Sequence, residues 1–439
     1  MCGSNFSAFL FLGLEMKKIA ILNASPNSGN MGVSALCISA VYGLAKAGDH
    51  AISIAHNGRS FEKTSWELDG RKIEADLIPL SPIRRYWRGD CLKTVHFLSN
   101  FGGYGSRTAK ELSRSQAILD VSGGDSFTDL YGQRRFQAMI ETKEIALKQG
   151  IPLILLPQTI GPFTSPENKA RADAIIRKAA AIFVRDARSF DYIKAVLGDD
   201  FDPARHKAGV DMALGLPKSS MMISPQKRVA DWLASTDRDF PLFGMNTSGL
   251  LCSAGANAKT TYGLRDNHLN QLEAIARRIM TYQPKARLLM VPHVVRPSGD
   301  PESDWDAAMD LKKRLLDFGD RVEVLPQFYS APELKWIISR LDWFCGARMH
   351  STIAGISTGT PTMGLAYSDK ALGVFESCDI GSSVADLRRL DTEALATFAE
   401  QSVAIRDCTR EVLKQGSLKI AAAVDAQFRD LAEIIQKVS

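Results

Sequence analysis

Short apolar runs alternate with amphipathic helical patterns along most of this chain, and that alternation limits the fold more than any other feature. When strands alternate with helices, each helix carries the chain back to the end of the sheet where the previous strand began. Consecutive strands then run in the same direction and form a parallel sheet. The first series predicts one parallel, doubly wound sheet. Its predicted strands are 18–23, 51–55, 117–121, 151–157 and 181–184, and its helices are 33–47, 133–149, 166–180 and 187–197.

A second series of the same kind begins after a polar break at 217–220. With 439 residues the chain exceeds the roughly 150 residues of a typical domain. We therefore predict an α/β protein with two doubly wound, Rossmann-like domains that face a ligand cleft. The predicted strands of the second series are 242–246, 288–292, 322–325, 343–345 and 362–366. The predicted divisions are an N-terminal extension at 1–15, domains at 16–218 and 219–385, and C-terminal helices at 386–439.

Composition excludes several classes of protein. A formal charge of +5 is small for this length, and the sequence shows no nucleic-acid-binding signature. The seven cysteines are scattered without a C-x-x-C pair, which predicts reduced thiols in a cytoplasmic protein and no zinc site. No apolar run approaches the roughly 20 residues of a membrane span. We expect neither a metal nor a nicotinamide cofactor.

Cationic side chains follow two predicted strands of the second domain. Arg348 and His350 come directly after the strand at 343–345, and Ser368 and Lys370 follow the strand at 362–366. Such a turn presents free backbone N–H groups and the positive end of a helix, which together favour an anion. The residues therefore predict a site for a small, highly charged acid. The alternative is that they cap a helix and pair with structural acids.

Four other residues lie at predicted strand ends, where cleft residues are expected. Asp125 follows a Gly-Gly pair and could accept a proton from a hydroxyl, or cap a helix instead. Arg185 could face the cleft or serve only in a salt bridge. Asn246 and His293 close two strands of the second domain and could each form a hydrogen bond with a substrate; the alternative for His293 is an ordinary structural histidine. Asp211 is either a further cleft carboxylate or a turn residue.

The segment 84–114 combines basic and aromatic residues. It carries seven Lys or Arg and two acids, with Tyr86, Trp87, Phe97, Phe101 and Tyr104 interleaved. This composition suits peripheral contact with an anionic membrane or a phosphorylated carrier. A solvated loop is the alternative.

Taken together, these motifs resemble the polysaccharide pyruvyl transferases over about 16–376. The most specific are Gly346-Ala347-Arg348-Met349-His350, Gly359-Thr360-Pro361 and Ser368-Asp369-Lys370, supported in order by Ser122-Gly123-Gly124-Asp125-Ser126-Phe127 and Val184-Arg185-Asp186. The resemblance implies a glycosyltransferase-B-like fold. It also implies transfer of a pyruvyl group from phosphoenolpyruvate to a sugar of a surface polysaccharide or its lipid-linked precursor, forming a ketal.

The resemblance also implies roles for individual residues. His350 is expected to act as the acid or as a phosphate partner, while Arg348, Arg185 and Lys370 hold the anion and Asp125 serves as the base for the sugar hydroxyl. The second domain would bind the donor and the first the acceptor. Phosphoenolpyruvate is then a donor substrate, not a cofactor. Two other readings stay open: a nucleotide-sugar glycosyltransferase on the same fold, and a non-catalytic carbohydrate-binding protein.

Overall fold

Two sheets organise the chain in a computed structural model that describes residues 17–220, 226–234, 236–368 and 370–438. The predicted extension at 1–15 lies outside the described residues. Within those ranges the first sheet has eight strands in the order β3-β4-β2-β1-β5-β6-β7-β8. They are β1 (Lys17–Leu22), β2 (His50–His56), β3 (Glu62–Leu68), β4 (Arg71–Pro79), β5 (Ala117–Asp120), β6 (Leu153–Gln158), β7 (Ala181–Val184) and β8 (His206–Ala208).

The first sheet is parallel except at one edge, where β3 pairs antiparallel with β4. The alternation of strands and helices did not predict this hairpin, and the expectation of a wholly parallel sheet is wrong there. The residues of β3 are mostly polar and exposed, so they lack the apolar run of a buried strand. Asp69 and Gly70 form the turn with positive φ angles of 48° and 72°. An Asp-Gly pair is a hairpin signal that the sequence did contain.

The second sheet has six parallel strands among the residues described, in the order β11-β10-β9-β12-β13-β14. Its strands are β9 (Leu242–Asn246), β10 (Arg287–Met290), β11 (Val322–Val324), β12 (Trp343–Gly346), β13 (Thr362–Ala366) and β14 (Val384–Asp386). In both sheets the chain winds outward in one direction from the first strand and then returns to wind in the other. The strand order therefore reverses between β1 and β5 and between β9 and β12, the positions where such sheets bind ligands.

Helices cover the faces of both sheets. In the first series they are α1 (Met31–Ala47), α2 (Leu92–Leu98), α3 (Arg107–Ser113), α4 (Gln133–Lys148), α5 (Pro166–Lys178) and α6 (Ala187–Leu197). The second series contains α7 (Lys227–Ala234), α8 (Gly249–Ser253), α9 (Ala258–Tyr262), α10 (His268–Tyr282), α11 (Asp304–Arg314), α12 (Ala331–Ile338), α13 (Met349–Ile356), α14 (Lys370–Glu376), α15 (Thr392–Ala404) and α16 (Arg406–Val438).

Local sequence explains where the helices begin. The side chain of Asn30 accepts hydrogen bonds from the backbone N–H groups of Gly32 and Val33, which caps α1. Asp186 caps α6 in the same way through Ser189. α1 is buried along most of its length, because it packs against β2 and β4 of the first sheet, against α12 and α13 of the second domain, and against α16. This position makes α1 the element that both domains share.

One apolar core continues from the first domain into the second. It includes Ile21 of β1, Leu36 of α1, Ile337 of α12 and Ile353 of α13. The long helix α16 also joins this core, where Phe428 packs against α1. Within the described ranges, no helix is both long and apolar enough to cross a membrane.

Gly43 allows α16 to lie close to α1. A Cβ atom built at Gly43 would come within 2.4 Å of the Phe428 ring, whereas a Cβ at Gly373 of α14 meets no described atom within 4 Å. We predict that Gly43→Ala lowers the free energy of unfolding by about 1–3 kcal/mol through overpacking. The matched change Gly373→Ala should raise it by up to about 1 kcal/mol, because alanine favours helix. Urea unfolding measures both; equal effects would contradict the packing of α16 on α1.

Candidate active site

A buried ion pair lies between β1 and β5, where the strand order of the first sheet reverses. Lys143 Nζ lies 2.9 Å from Asp120 Oδ1, and neither side chain is exposed. Lys143 also donates to Ser122 Oγ at 2.7 Å, and Asn23 Nδ2 donates to Asp120 Oδ2 at 2.5 Å. Removing one member of such a pair leaves an uncompensated buried charge, so these residues hold each other in place. The network fixes the loop that carries Gly123, Gly124 and Asp125.

Arg185 lies beside this loop and pairs with a buried carboxylate. It follows β7, and its Nη1 donates to Asp211 Oδ2 while its Nε donates to Thr159 Oγ1 at 3.2 Å. The two side chains of the pair are 4% and 1% exposed. A Cβ at Gly124 would lie 2.9 Å from Arg185 Nη1, so the glycine makes room for the guanidinium. Arg185 therefore sits at the carboxyl edge of the first sheet, as expected for a cleft residue.

His350 approaches the same carboxylate from the second domain. Its Nε2 lies 3.6 Å from Asp211 Oδ2, just beyond hydrogen-bonding distance, and its side chain is 14% exposed. A Cβ at Gly32 would lie 2.5 Å from His350 Nδ1, so only glycine fits at that position of α1. Burial alone would raise the pKa of Asp211, but Arg185 and His350 outweigh burial and lower that pKa below its usual range. Asp211 is thus an ionised carboxylate that both domains face.

Arg348 is held by a carboxylate that the sequence did not reveal. Its Nη2 donates to Asp304 Oδ1 at 2.7 Å, and Asp304 is fully buried. Asp304 also accepts from the backbone N–H groups of Gly249 and Val294. Burial lowers the pKa of Arg348, yet Asp304 outweighs that effect and raises it. Nothing in the sequence distinguishes Asp304 from the acidic residues that commonly start a helix.

Asn246 contacts the backbone of the Arg348 turn. Its Nδ2 donates to the Val291 carbonyl at 3.0 Å, and its Oδ1 accepts from the Arg348 N–H at 3.1 Å. Both contacts lie at the reversal point between β9 and β12, where Asn246 pairs in register with Gly346. Asn246 is fully buried, so in this structure it positions the turn through its own side chain.

His293 lies at the contact between the domains. Its carbonyl accepts from the Met31 N–H of α1 at 3.0 Å, while its ring is 3% exposed. Neither ring nitrogen has a hydrogen-bond partner among the described residues. Burial, followed by the nearby charges of His350 and Arg348, lowers the pKa of His293 to about 3. The ring is therefore neutral, and its two nitrogens are available to a ligand that reaches them.

Asp125 lies on the first domain and faces the second. Tyr131 donates to Asp125 Oδ2 at 2.8 Å. Burial raises the pKa of Tyr367, which follows β13; Asp125 adds to that rise and Arg348 opposes it. Tyr367 is therefore within electrostatic reach of both residues, and it links the Asp125 side to the Arg348 side. The sequence did not single out Tyr131 and Tyr367 as site residues, because aromatic residues in these positions usually indicate core packing.

The remaining predicted residues lie on the turn after β13. Ser368 is partly buried on that turn, and Lys370 begins α14. Asp369 and the side chain of Lys370 are outside what the structure describes. Among the residues it does describe, no group of three or more His, Cys, Asp or Glu could hold a metal ion. Arg185, His293, Arg348 and His350 thus come together at the junction, and Asp125 lies across from them.

A family model for polysaccharide pyruvyl transferases matches residues 30–369, which is most of the chain. The chain belongs to the polysaccharide pyruvyl transferase family. The family resemblance predicted from the Arg348–His350 and Gly-Gly-Asp motifs is therefore confirmed. Membership indicates a transferase that acts on polysaccharides, with a saccharide as its acceptor.

Solved structures with the same architecture support the predicted fold. A glycosyltransferase from Rickettsia africae superposes with a TM-score of 0.56 at 12% identity, covering 97% of this chain and 99% of that one. A sucrose-phosphate synthase from Thermosynechococcus elongatus gives 0.55 at 13% identity, covering 96% and 99%. A trehalose 6-phosphate synthase from Burkholderia multivorans gives 0.52 at 11%, also covering 96% and 99%. The predicted glycosyltransferase-B architecture is confirmed.

His293 should make the fold sensitive to acid. Its pKa is about 3 in the folded protein against 6.5 for a free histidine, so the unfolded chain binds a proton first as the pH falls. The stability from the neutral ring is complete above about pH 6.5 and declines below it. We predict that His293→Gln loses less thermal stability than the parent between about pH 7.5 and pH 5. Scanning calorimetry measures this, and an equal loss would contradict the buried, neutral ring.

Proposed function

We propose that this protein transfers the pyruvyl group of phosphoenolpyruvate to a saccharide and forms a pyruvate ketal. The observation that carries the proposal is the meeting of Arg185, Asp211 and His350 at the domain junction, beside the N-termini of α1 and α13. A small acid with a carboxylate and a phosphate on one short skeleton needs several positive groups close together. The junction brings Arg185 and His350 together beside the N-terminus of α13 in a largely buried space.

The N-terminus of α13 supplies much of the positive potential in this proposal, because the first N–H groups of α1 are already bonded to Asn30 and to the His293 carbonyl. Arg185 and Arg348 each have a buried carboxylate partner, Asp211 and Asp304, so each pair carries little net charge. Arg348 occupies the N-cap position of α13, and its side chain makes no capping hydrogen bond in the described chain. The first N–H groups of α13 are therefore suited to a phosphate or carboxylate. The arginines orient the anion, and His350 lies beside this helix N-terminus. The role of Lys370, whose side chain the structure does not describe, stays a prediction.

The reaction begins with proton transfer to the methylene carbon of phosphoenolpyruvate, which leaves positive charge on the carbon that bears oxygen. His350 is the proposed acid, and Asp211 faces its Nε2 at 3.6 Å. One sugar hydroxyl attacks that carbon and loses its proton to Asp125. The bond from carbon to the phosphate oxygen then breaks, and a neighbouring hydroxyl closes the ketal as inorganic phosphate leaves. The two hydroxyl protons balance the methyl proton and the proton on phosphate.

Two cavities in the first domain lie near the Gly123 loop that carries Asp125, since a Cβ atom at Gly123 would be 3.7 Å from Val33. One of about 190 Å³ opens beside Asn23, Ser28 and Val33 at the reversal point of the sheet. The second, of about 240 Å³, is lined by Tyr86 and Lys93 of the segment 84–114 and by Arg134 of α4. Both are also lined by Pro82, Leu92 and Ala138, so the two spaces adjoin. A saccharide on a carrier would lie along them.

The segment 84–114 is structured and presents aromatic rings to solvent. Trp87 is 81% exposed and Tyr104 is 87% exposed. Phe97 and Phe101 stack on each other at 5.4 Å and are more than half exposed. Exposed aromatic rings among basic residues suit the interface of an anionic membrane. We propose that this surface holds the protein at the inner face of the membrane, where a lipid-linked acceptor is found.

A nucleotide-sugar glycosyltransferase is the second candidate, because the confirmed architecture is shared with such enzymes. Ligand-dependent stability separates the two functions, since binding to the native state alone raises the melting temperature. We predict that phosphoenolpyruvate raises it and that UDP-glucose does not. A shift with UDP-glucose alone would contradict pyruvyl transfer.

His350→Gln should abolish the shift caused by phosphoenolpyruvate. The substitution leaves no buried charge unpaired, because Asp211 keeps Arg185 as its partner. The melting temperature without ligand should therefore stay close to the parent's. His96→Gln is the matched control. His96 lies on α2, away from the junction, and its Nε2 is 2.8 Å from Glu144 Oε2. If His350→Gln keeps the parental shift, His350 has no part in the donor site.

Binding to vesicles tests the membrane surface. We predict that the protein sediments with phosphatidylglycerol vesicles at low salt and that salt reduces binding. The variant Trp87→Ser/Tyr104→Ser should bind roughly tenfold more weakly, because each ring buries apolar area in the interface. Tyr282→Ser is the control, since Tyr282 is 42% exposed but lies on α10 of the second domain. Binding that is absent at low salt, or unchanged in the double variant, would end this part of the proposal.

A further inference from the structure

A cavity of about 600 Å³ lies where the two domains and α16 meet. The first domain contributes the C-terminal half of α1, including Tyr42 and Lys46, and the second contributes the end of α13 at Ser357–Gly359. The segment that joins the domains, 214–218, forms another wall, and Phe428 of α16 closes the space. None of these residues has a part in the reaction proposed above.

Positive charge dominates this cavity. Its walls carry five cationic side chains and two carboxylates, Asp69 and Asp425. The cations are Lys46, Lys218, Lys335, Lys414 and Arg429. Lys46 is paired with Asp425 at 2.8 Å, and Lys414 with Glu411 at 2.6 Å. The exposed side chains of Lys218 and Arg429 stand at the rim.

Lys335 is the buried member of this set. It is 3% exposed, and its Nζ donates to the carbonyl oxygens of Leu214 and Ala213 at 3.0 and 3.5 Å. Burial, followed by the charge of Lys218, lowers its pKa to about 7, although Asp69 opposes the shift. Carbonyl oxygens carry only partial charge, so they do not neutralise a buried ammonium group. An anion in the cavity would supply the missing counter-charge.

The other walls are apolar. The apolar part of the lining consists of Tyr42, Leu216, Ile420, Val424 and Phe428. The volume falls within the usual 300–1,000 Å³ range of small-molecule sites, and a few polar groups in an apolar pocket are typical of them. This combination of positive charge and apolar walls favours an organic anion with an apolar or aromatic body over inorganic phosphate alone.

We propose that this cavity is a second ligand site, distinct from the donor site, for an amphipathic organic anion. Its ligand would touch both domains and the segment joining them. Two helices connect it with the donor site. α1 begins beside His350 and reaches the cavity at Tyr42, and α13 carries His350 in its first turn and ends at the cavity. The distance along α13 is about 12 Å at 1.5 Å per residue. A bound anion would therefore stabilise the arrangement in which the domains meet.

The fluorescent aromatic sulfonate 8-anilinonaphthalene-1-sulfonate is a probe of this chemistry. Titration at about pH 6.5, where a lysine of pKa about 7 is mostly protonated, should give saturable binding that pyrophosphate weakens. Lys335→Met keeps the length of the side chain and removes its charge. It should weaken the dye's affinity about tenfold, the effect of one charge-assisted hydrogen bond. Lys437→Ala, on α16 but outside the cavity, should bind like the parent.

Parental affinity in folded Lys335→Met would overturn the proposal. If that variant fails to fold, the exposed pair Lys218→Ala/Arg429→Ala carries the test, with a loss of about fivefold expected and no loss contradicting the site. Dye binding that is lost in Trp87→Ala would place the dye on the segment 84–114 and also overturn it. The assay requires no phosphoenolpyruvate. Failure of this site and failure of pyruvyl transfer are therefore separate outcomes.

Discussion

The buried carboxylate of Asp211 is the interaction on which the junction depends. It pairs with Arg185 of the first domain and faces His350 of the second at 3.6 Å. A carboxylate that is 1% exposed stays ionised only if positive groups compensate for its lost hydration. Asp211 therefore needs Arg185 beside it to stay ionised. Its negative charge also favours the domain arrangement that brings His350 near. Gly32 permits this approach by leaving room for the imidazole on α1.

The arrangement changes how the cationic motif is understood. From the sequence, Arg348 and His350 look like equivalent parts of one anion pocket. In the structure Arg348 is tied to Asp304 and shapes the turn, while His350 stands at the domain contact without a hydrogen-bond partner for Nε2 in the described chain. In our proposal the donor's charge is met by the N-terminus of α13 and by His350, and the two arginines, each paired with a carboxylate, orient the anion. This division explains why both arginines carry buried acidic partners.

Much of the fold followed from the sequence, because buried parallel strands are short apolar runs. Every residue of β5, β7, β9 and β13 is buried, and each coincided with such a run. The β3–β4 hairpin was not predicted, because its outer strand is polar and exposed. The strand-end positions of Arg185 and His350 in the sequence agree with their place at the domain junction, and their functional roles stay predictions. The Asp304 partner and the Tyr131–Asp125 contact depend on residues far apart in the chain or on packing, which local patterns do not encode. The predicted domain boundaries and the cytoplasmic location stay predictions.

Phosphate release from phosphoenolpyruvate tests the central claim most directly. The protein would be incubated with the donor and a panel of lipid-linked and free oligosaccharides, and the phosphate and the saccharide product would both be measured. Our account predicts phosphate release that requires a saccharide, a product that carries a pyruvate ketal, and loss of both by at least about a hundredfold in His350→Gln. Phosphate release without any saccharide product, or full activity in His350→Gln, would contradict it.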